Sequence, residues 1–184
     1  GSQDATFGDN GVRHSGPIAV GSANEVELLE DGRIVAAGCD RGVSGSRFGV
    51  ARYLPTDGSP DPTFGDAGGA RVAFGTGSGR PPSDCAYDLE VQRNGRLVVV
   101  GTARASRDSR FGVARLRANG LLDPSFSRDG KTITGFRFKP STRRHDDEAE
   151  AVAIQPNGRV VVTGSADPFF QNEEFATARY FAAP

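Results

Sequence analysis

The triplets Asp31-Gly32-Arg33, Asn94-Gly95-Arg96 and Asn157-Gly158-Arg159 recur along the chain at a constant step of 63 residues. A period of this size marks a repeat architecture, in which one supersecondary unit is stacked on copies of itself. Three more signals keep phase. Asp4-Ala5-Thr6-Phe7, Asp61-Pro62-Thr63-Phe64 and Asp123-Pro124-Ser125-Phe126 open each unit, and Gly38, Gly101 and Gly164 close an apolar run. Phe48-Gly49-Val50-Ala51-Arg52, Phe111-Gly112-Val113-Ala114-Arg115 and Phe175-Ala176-Thr177-Ala178-Arg179 follow. The chain therefore divides into units 4–60, 61–122 and 123–184, with Gly1-Ser2 read as a scar of tag removal.

Within a unit the periodicity is that of strands. Arg71-Val72-Ala73-Phe74 and Tyr87-Asp88-Leu89-Glu90-Val91 alternate polar with apolar, as half-buried strands do. The Asn94-Gly95 pair tolerates the positive φ of a tight hairpin. The run that follows, Leu97-Val98-Val99-Val100, is apolar on both faces and predicts a strand buried on both sides. Phe111–Leu116 supplies the fourth strand, and Asn119-Gly120 with Asp123-Pro124 turns the chain into the next unit. No segment has a helical period with start and stop signals. The expectation is an all-β protein of three four-stranded repeats, about twelve strands in total.

Composition narrows the function classes. With 25 Gly and 11 Pro but 36% hydrophobic residues, the chain is turn-rich and folded. A net charge of −1 gives no reason to expect nucleic acid or an anionic membrane as partner. No apolar run approaches the roughly 18–20 residues needed to span a bilayer.

The residues resemble the bacterial delta-60 repeat over nearly the whole chain: an Asp-Pro-Ser/Thr-Phe turn, a Gln-Pro-Asn-Gly-Arg hairpin and a Phe-x-x-Ala-Arg strand. Residues 153–164, with Gln155-Pro156-Asn157-Gly158-Arg159 at their centre, fit best, and Leu28-Leu29-Glu30-Asp31 departs most. The resemblance implies blades of a β-propeller on a bacterial secreted, periplasmic or surface protein, and it brings no catalytic residues with it. Propellers usually have four to eight blades, and three cannot close a ring. The expectation is half of a six-bladed propeller completed in a homodimer, or a fragment completed by further repeats. A β-trefoil is the alternative, ranked lower because its repeats are usually shorter.

Candidate chemistry is sparse. Arg143, Arg144 and His145 begin a charged run that continues through Asp146-Asp147-Glu148; adjacent strand side chains point to opposite faces, so a solvated charged loop is expected over a metal site. His14 and His145 have no nucleophile or metal-ligand spacing around them, and Gly75-Thr76-Gly77-Ser78-Gly79-Arg80 lacks the Lys-Ser/Thr of a phosphate loop. No catalytic residue, metal or cofactor is expected. Arg52, Arg115 and Arg179 are expected to pair with in-repeat aspartates such as Asp61 and Asp123, or to pack their stems on strands. Cys39 and Cys85 fall on the same edge of neighbouring units, as a disulfide between blades or as two separate thiols.

The variable loops all emerge at one end, the usual place for recognition on a rigid scaffold. Phe169 and Phe170, beside Pro168, are the candidate apolar anchor for a partner, or else tuck over the blade end or into a chain–chain contact. The sequence thus predicts a non-catalytic module binding a protein or surface glycan. A purely structural, self-assembling repeat is second, and an enzyme third.

Overall fold

The computed structural model describes residues 1–14, 16, 18, 21–42, 44–75, 83–105, 108–136, 146–167 and 173–181. Among these, eleven strands form three antiparallel sheets. The first holds β1 (Gly21–Leu28), β2 (Ile34–Gly42), β3 (Gly45–Tyr53) and β4 (Gly69–Val72) in that order. The second holds β5 (Cys85–Val91), β6 (Leu97–Ala105), β7 (Asp108–Leu116) and β8 (Lys131–Thr134). The third holds β9 (Glu148–Ile154), β10 (Val160–Ala166) and β11 (Glu174–Tyr180). Every strand pairs within its own sheet, the arrangement of propeller blades and not of a trefoil, and the arc of three blades is not closed.

Sheet and sequence repeat are out of phase by one strand. β4 belongs to the second sequence unit but is hydrogen-bonded to β3 of the first, with Phe48 opposite Val72 and Ala51 opposite Gly69. β8 closes the second sheet in the same register, Phe111 opposite Thr134 and Ala114 opposite Lys131. Each unit therefore lends its first strand to the sheet before it. The third sheet has three strands among the described residues.

β1, β5 and β9 touch in succession, while β4 and β8 lie at the outside. The sheets fan around an axis lined by each blade's first strand. Between the first and second sheets lie Val35, Phe48, Val50, Leu89, Leu97 and Val99; between the second and third lie Val98, Val100, Phe111, Val113, Val160 and Val162. Leu97–Val100 is thus buried on both faces, which is why that run has no polar residue. Phe74 packs edge-on against Phe48 and Phe136 against Phe111, both at 4.8 Å.

The phased glycines have a steric cause. Each innermost strand bulges against its neighbour, with register shifts at Ala23/Glu25, Ala86/Asp88 and Thr163/Gly164. A Cβ on Gly38, Gly101 or Gly164 would overlap the carbonyl oxygen of Ser22, Cys85 or Glu148. Only glycine allows this approach. Gly101→Ala should therefore lower the stability of the chain by about 1–3 kcal/mol, read from the urea midpoint. An unchanged midpoint would disprove the steric role.

Candidate functional site

Two buried polar clusters sit at the hairpin end of the blades and follow one design. In the first, Asp61 Oδ2 meets Arg52 Nε at 2.8 Å and Arg33 Nη1 at 3.0 Å. Its Oδ1 accepts the Thr63 backbone N–H at 2.9 Å and the Thr63 hydroxyl at 2.6 Å. Arg52 also donates to Thr63 Oγ1 at 2.9 Å and to the Ala118 carbonyl of the next unit, and lies 4.7 Å over the Phe64 ring. In the second, Asp123 Oδ2 meets Arg115 Nε at 2.9 Å and Arg96 Nε at 2.8 Å, Ser125 replaces Thr63, and Arg115 lies 5.2 Å over Phe126.

Burial alone would raise the Asp61 carboxyl. Hydrogen bonds from the Thr63 hydroxyl and backbone and from Arg33, with the charge of Arg52, hold it instead far below the ordinary carboxylate value. Asp123 is likewise lowered, against the pull of burial, by Ser125, Arg115 and Arg96. Carboxylates so saturated cannot serve as base or nucleophile. They clamp the turn that carries the chain from the third strand of a sheet to its fourth.

A groove of about 760 Å³ opens between the β1–β2 and β5–β6 hairpins, with Glu27, Asp31, Arg33, Glu90 and Arg93 on its walls. A smaller one of about 360 Å³ lies between the second and third hairpins. Burial, then the neighbouring Glu27 and Asp88, raises the Glu90 carboxyl. The grooves repeat because hairpins of successive blades splay apart. Neither contains a nucleophile beside a base, and no group of three His, Cys, Asp or Glu poised for a metal occurs among the described residues.

At the opposite end lie the loops between β4 and β5, β8 and β9, and β10 and β11. Phe169, Phe170, Arg143, Arg144 and His145 lie outside the described residues. The remainder of that charged run differs from the solvated loop expected for it. Asp147 is buried and accepts the Phe136 backbone N–H at 3.0 Å. Asp84, one repeat earlier, accepts from Phe74 N at 3.1 Å and Arg104 N at 2.9 Å. These carboxylates satisfy backbone donors where the chain crosses between sheets, a need that no local sequence pattern announces.

Cys39 in the middle of β2 and Cys85 at the start of β5 are joined by a disulfide, with Cα atoms 4.4 Å apart. The bond ties the first sheet to the second close to the axis. Beside it, Asn24 donates to the Ala86 carbonyl at 2.7 Å, a second stitch between the same two blades.

Two measurements follow from these geometries. Asp61 and Asp123 have folded values below their unfolded ones, so they stabilise the chain fully above the unfolded value. That stability is lost as pH falls from about 4 toward 2. The urea midpoint should drop over this window, and Asp61→Asn should flatten the drop while lowering stability at neutral pH. A parallel profile for the variant would refute the assignment. Thiol titration in denaturant should find none before reduction and two after, and Cys39→Ser/Cys85→Ser should cost about 4 kcal/mol for a 46-residue separation.

Residues 29–64 and 92–126 match the family model of a domain of unknown function, DUF5122, described as a beta-propeller. No curated protein matches the chain. Each matched segment begins in the turn that follows the first strand of a sheet and ends on the Phe of an Asp-Pro-Thr/Ser-Phe turn, and so encloses one complete Arg–Asp–Thr/Ser cluster. The chain is an all-β protein of propeller-type blades, and two stretches of it are similar to this family.

Proposed function

We propose that the chain is a non-catalytic binding module of the delta-60 repeat type, presenting the loop end of its blades to a protein or surface glycan outside the bacterial cytoplasm. The observation that carries this reading is the allocation of buried charge. Arg52, Arg115, Asp61, Asp84, Asp123 and Asp147 are all engaged in stitching turns and crossings. The scaffold consumes its own reactive groups, and variation in length and composition is concentrated in the β4–β5, β8–β9 and β10–β11 connections. Recognition commonly resides in such loops on a rigid frame.

The disulfide supports an oxidising compartment, since such bonds persist in secreted and periplasmic proteins and are rare in the cytosol. The absence of Trp and the presence of only three Tyr favour a protein partner over a glycan, which is usually held on aromatic platforms. Phe169 and Phe170 are the anchor of this reading.

Purified bacterial envelope proteins and cell-wall glycans, arrayed separately, provide the test. Phe169→Ser/Phe170→Ser should weaken capture at least tenfold, about 1.4 kcal/mol, with the molar mass in solution unchanged. Loss of assembly with capture intact would overturn the recognition role and assign these side chains to self-association.

A further inference from the structure

The two outer faces of the three-blade arc are mates in sequence register. On the last sheet, Phe175 occupies the repeat position of Phe48 and Phe111; those two are 0% exposed, whereas Phe175 is 101% exposed. On the first sheet, Val26 occupies the position of Leu89, which is 1% exposed, yet Val26 is 59% exposed and its neighbour Leu28 71%. Both positions are buried wherever a neighbouring blade is present. One face lacks a following blade and the other lacks a preceding one.

The hydrogen-bonding edge tells the same story. β11 has no fourth strand beside it among the described residues. The repeat equivalent of β4 and β8 is the segment beginning at Val12, which follows the turn Gly8–Gly11 as β4 follows Gly65–Gly68. It is already positioned for the role. Gly8 N donates to the Asp57 carbonyl at 2.8 Å, as Gly65 N does to Asn119. Ile18 lies against Gly49 where Phe74 lies against Gly112.

The ionic cluster is split the same way. Asp4 Oδ1 accepts the Thr6 backbone N–H at 2.9 Å and the Thr6 hydroxyl at 2.7 Å, the half-cluster seen at Asp61–Thr63 and Asp123–Ser125. It forms no ion pair with an arginine among the described residues. Arg159 and Arg179, the equivalents of Arg33/Arg96 and Arg52/Arg115, form none either. The carboxylate stands at one end of the arc and its two guanidinium partners at the other. One molecule cannot bring them together, because the second sheet lies between.

We propose that two copies of this chain close a six-bladed ring, each inserting the strand that begins at Val12 beside β11 of the other. The register follows from β3–β4 and β7–β8: Ala178 of one copy opposite Val12 of its mate, Thr177 opposite Arg13 and Ala176 opposite His14. Asp4 then accepts from Arg159 and Arg179 of the other copy, Phe7 lies beneath Arg179, and Phe175 packs against Ile18. A second copy is the committed occupant because this chain carries both halves of each missing contact, complementary in charge, apolar surface and strand register. Two equal interfaces related by a twofold axis complete the circle, and six blades fall within the range that closes.

Sedimentation velocity of the full chain should give twice the 19.3 kDa chain mass. A monomer would overturn the proposal and leave the edge to another repeat of the same type, and a ladder of larger species would overturn ring closure. Asp4→Arg and Arg179→Glu should each weaken dimerisation at least tenfold while circular dichroism stays that of the folded chain. Their combination should restore the dimer; a combined variant as weak as either single would sink the pairing. Arg13→Cys/Thr177→Cys should give a covalent dimer on oxidation, and Arg13→Cys/Ala178→Cys, aimed at opposite faces, should not. Equal yields from both would refute the register.

Discussion

An antiparallel sheet that is apolar on both faces cannot satisfy itself. Val98, Val99 and Val100 point alternately to the two sides of the second sheet, and all three are fully buried only because a sheet lies on each side. Apolar area withdrawn from water stabilises at roughly 25 cal/mol per Å², so each blade depends on its neighbours more than on its own hydrogen bonds. The rest of the fold serves that requirement. The glycine-permitted bulges draw the first strands toward the axis, Asn24 fastens β1 to β5 and the disulfide fastens β2 to β5, and the Arg–Asp turns hold the outer strands in place.

Buried ion pairs are usually poor sources of stability, because desolvation offsets much of the attraction. Those at Asp61 and Asp123 are better understood as devices of register. Each carboxylate orders its own turn through Thr63 or Ser125 and at the same time binds two arginines of the preceding unit, one from a hairpin turn and one from β3 or β7. A turn displaced by one residue would forfeit all of these contacts at once. The cluster therefore specifies where β4 and β8 begin, and so which strand closes which sheet.

Much of this was legible in the residues. The alternation in 87–91, the double-faced run 97–100 and the Asn-Gly hairpins predict their elements because strand period and turn chemistry are local. The common phase of Arg52 and Arg115 with Asp61 and Asp123 left pairing and stem packing both open, and the ion pairs that form reach an aspartate of the following unit. The boundary of a blade was not, since a periodic sequence has no intrinsic starting point and the strand donated by Gly69–Val72 is assigned by tertiary pairing alone. The burial of Asp147 was hidden for a related reason: its partner is the N–H of Phe136, across a long connection. Cys39 and Cys85 left two readings open until the proximity of β2 to β5 decided between them.

The one-strand offset between repeat and sheet has an evolutionary side. When a gene grows by duplicating whole units, a blade that matched its repeat would arrive as a finished block, attached by nothing but packing and a peptide linker. Here every added unit must surrender a strand to its predecessor and receive one from its successor. Copies are interlocked from the moment they are translated, and a change in copy number alters the length of the arc without leaving a loose joint inside it.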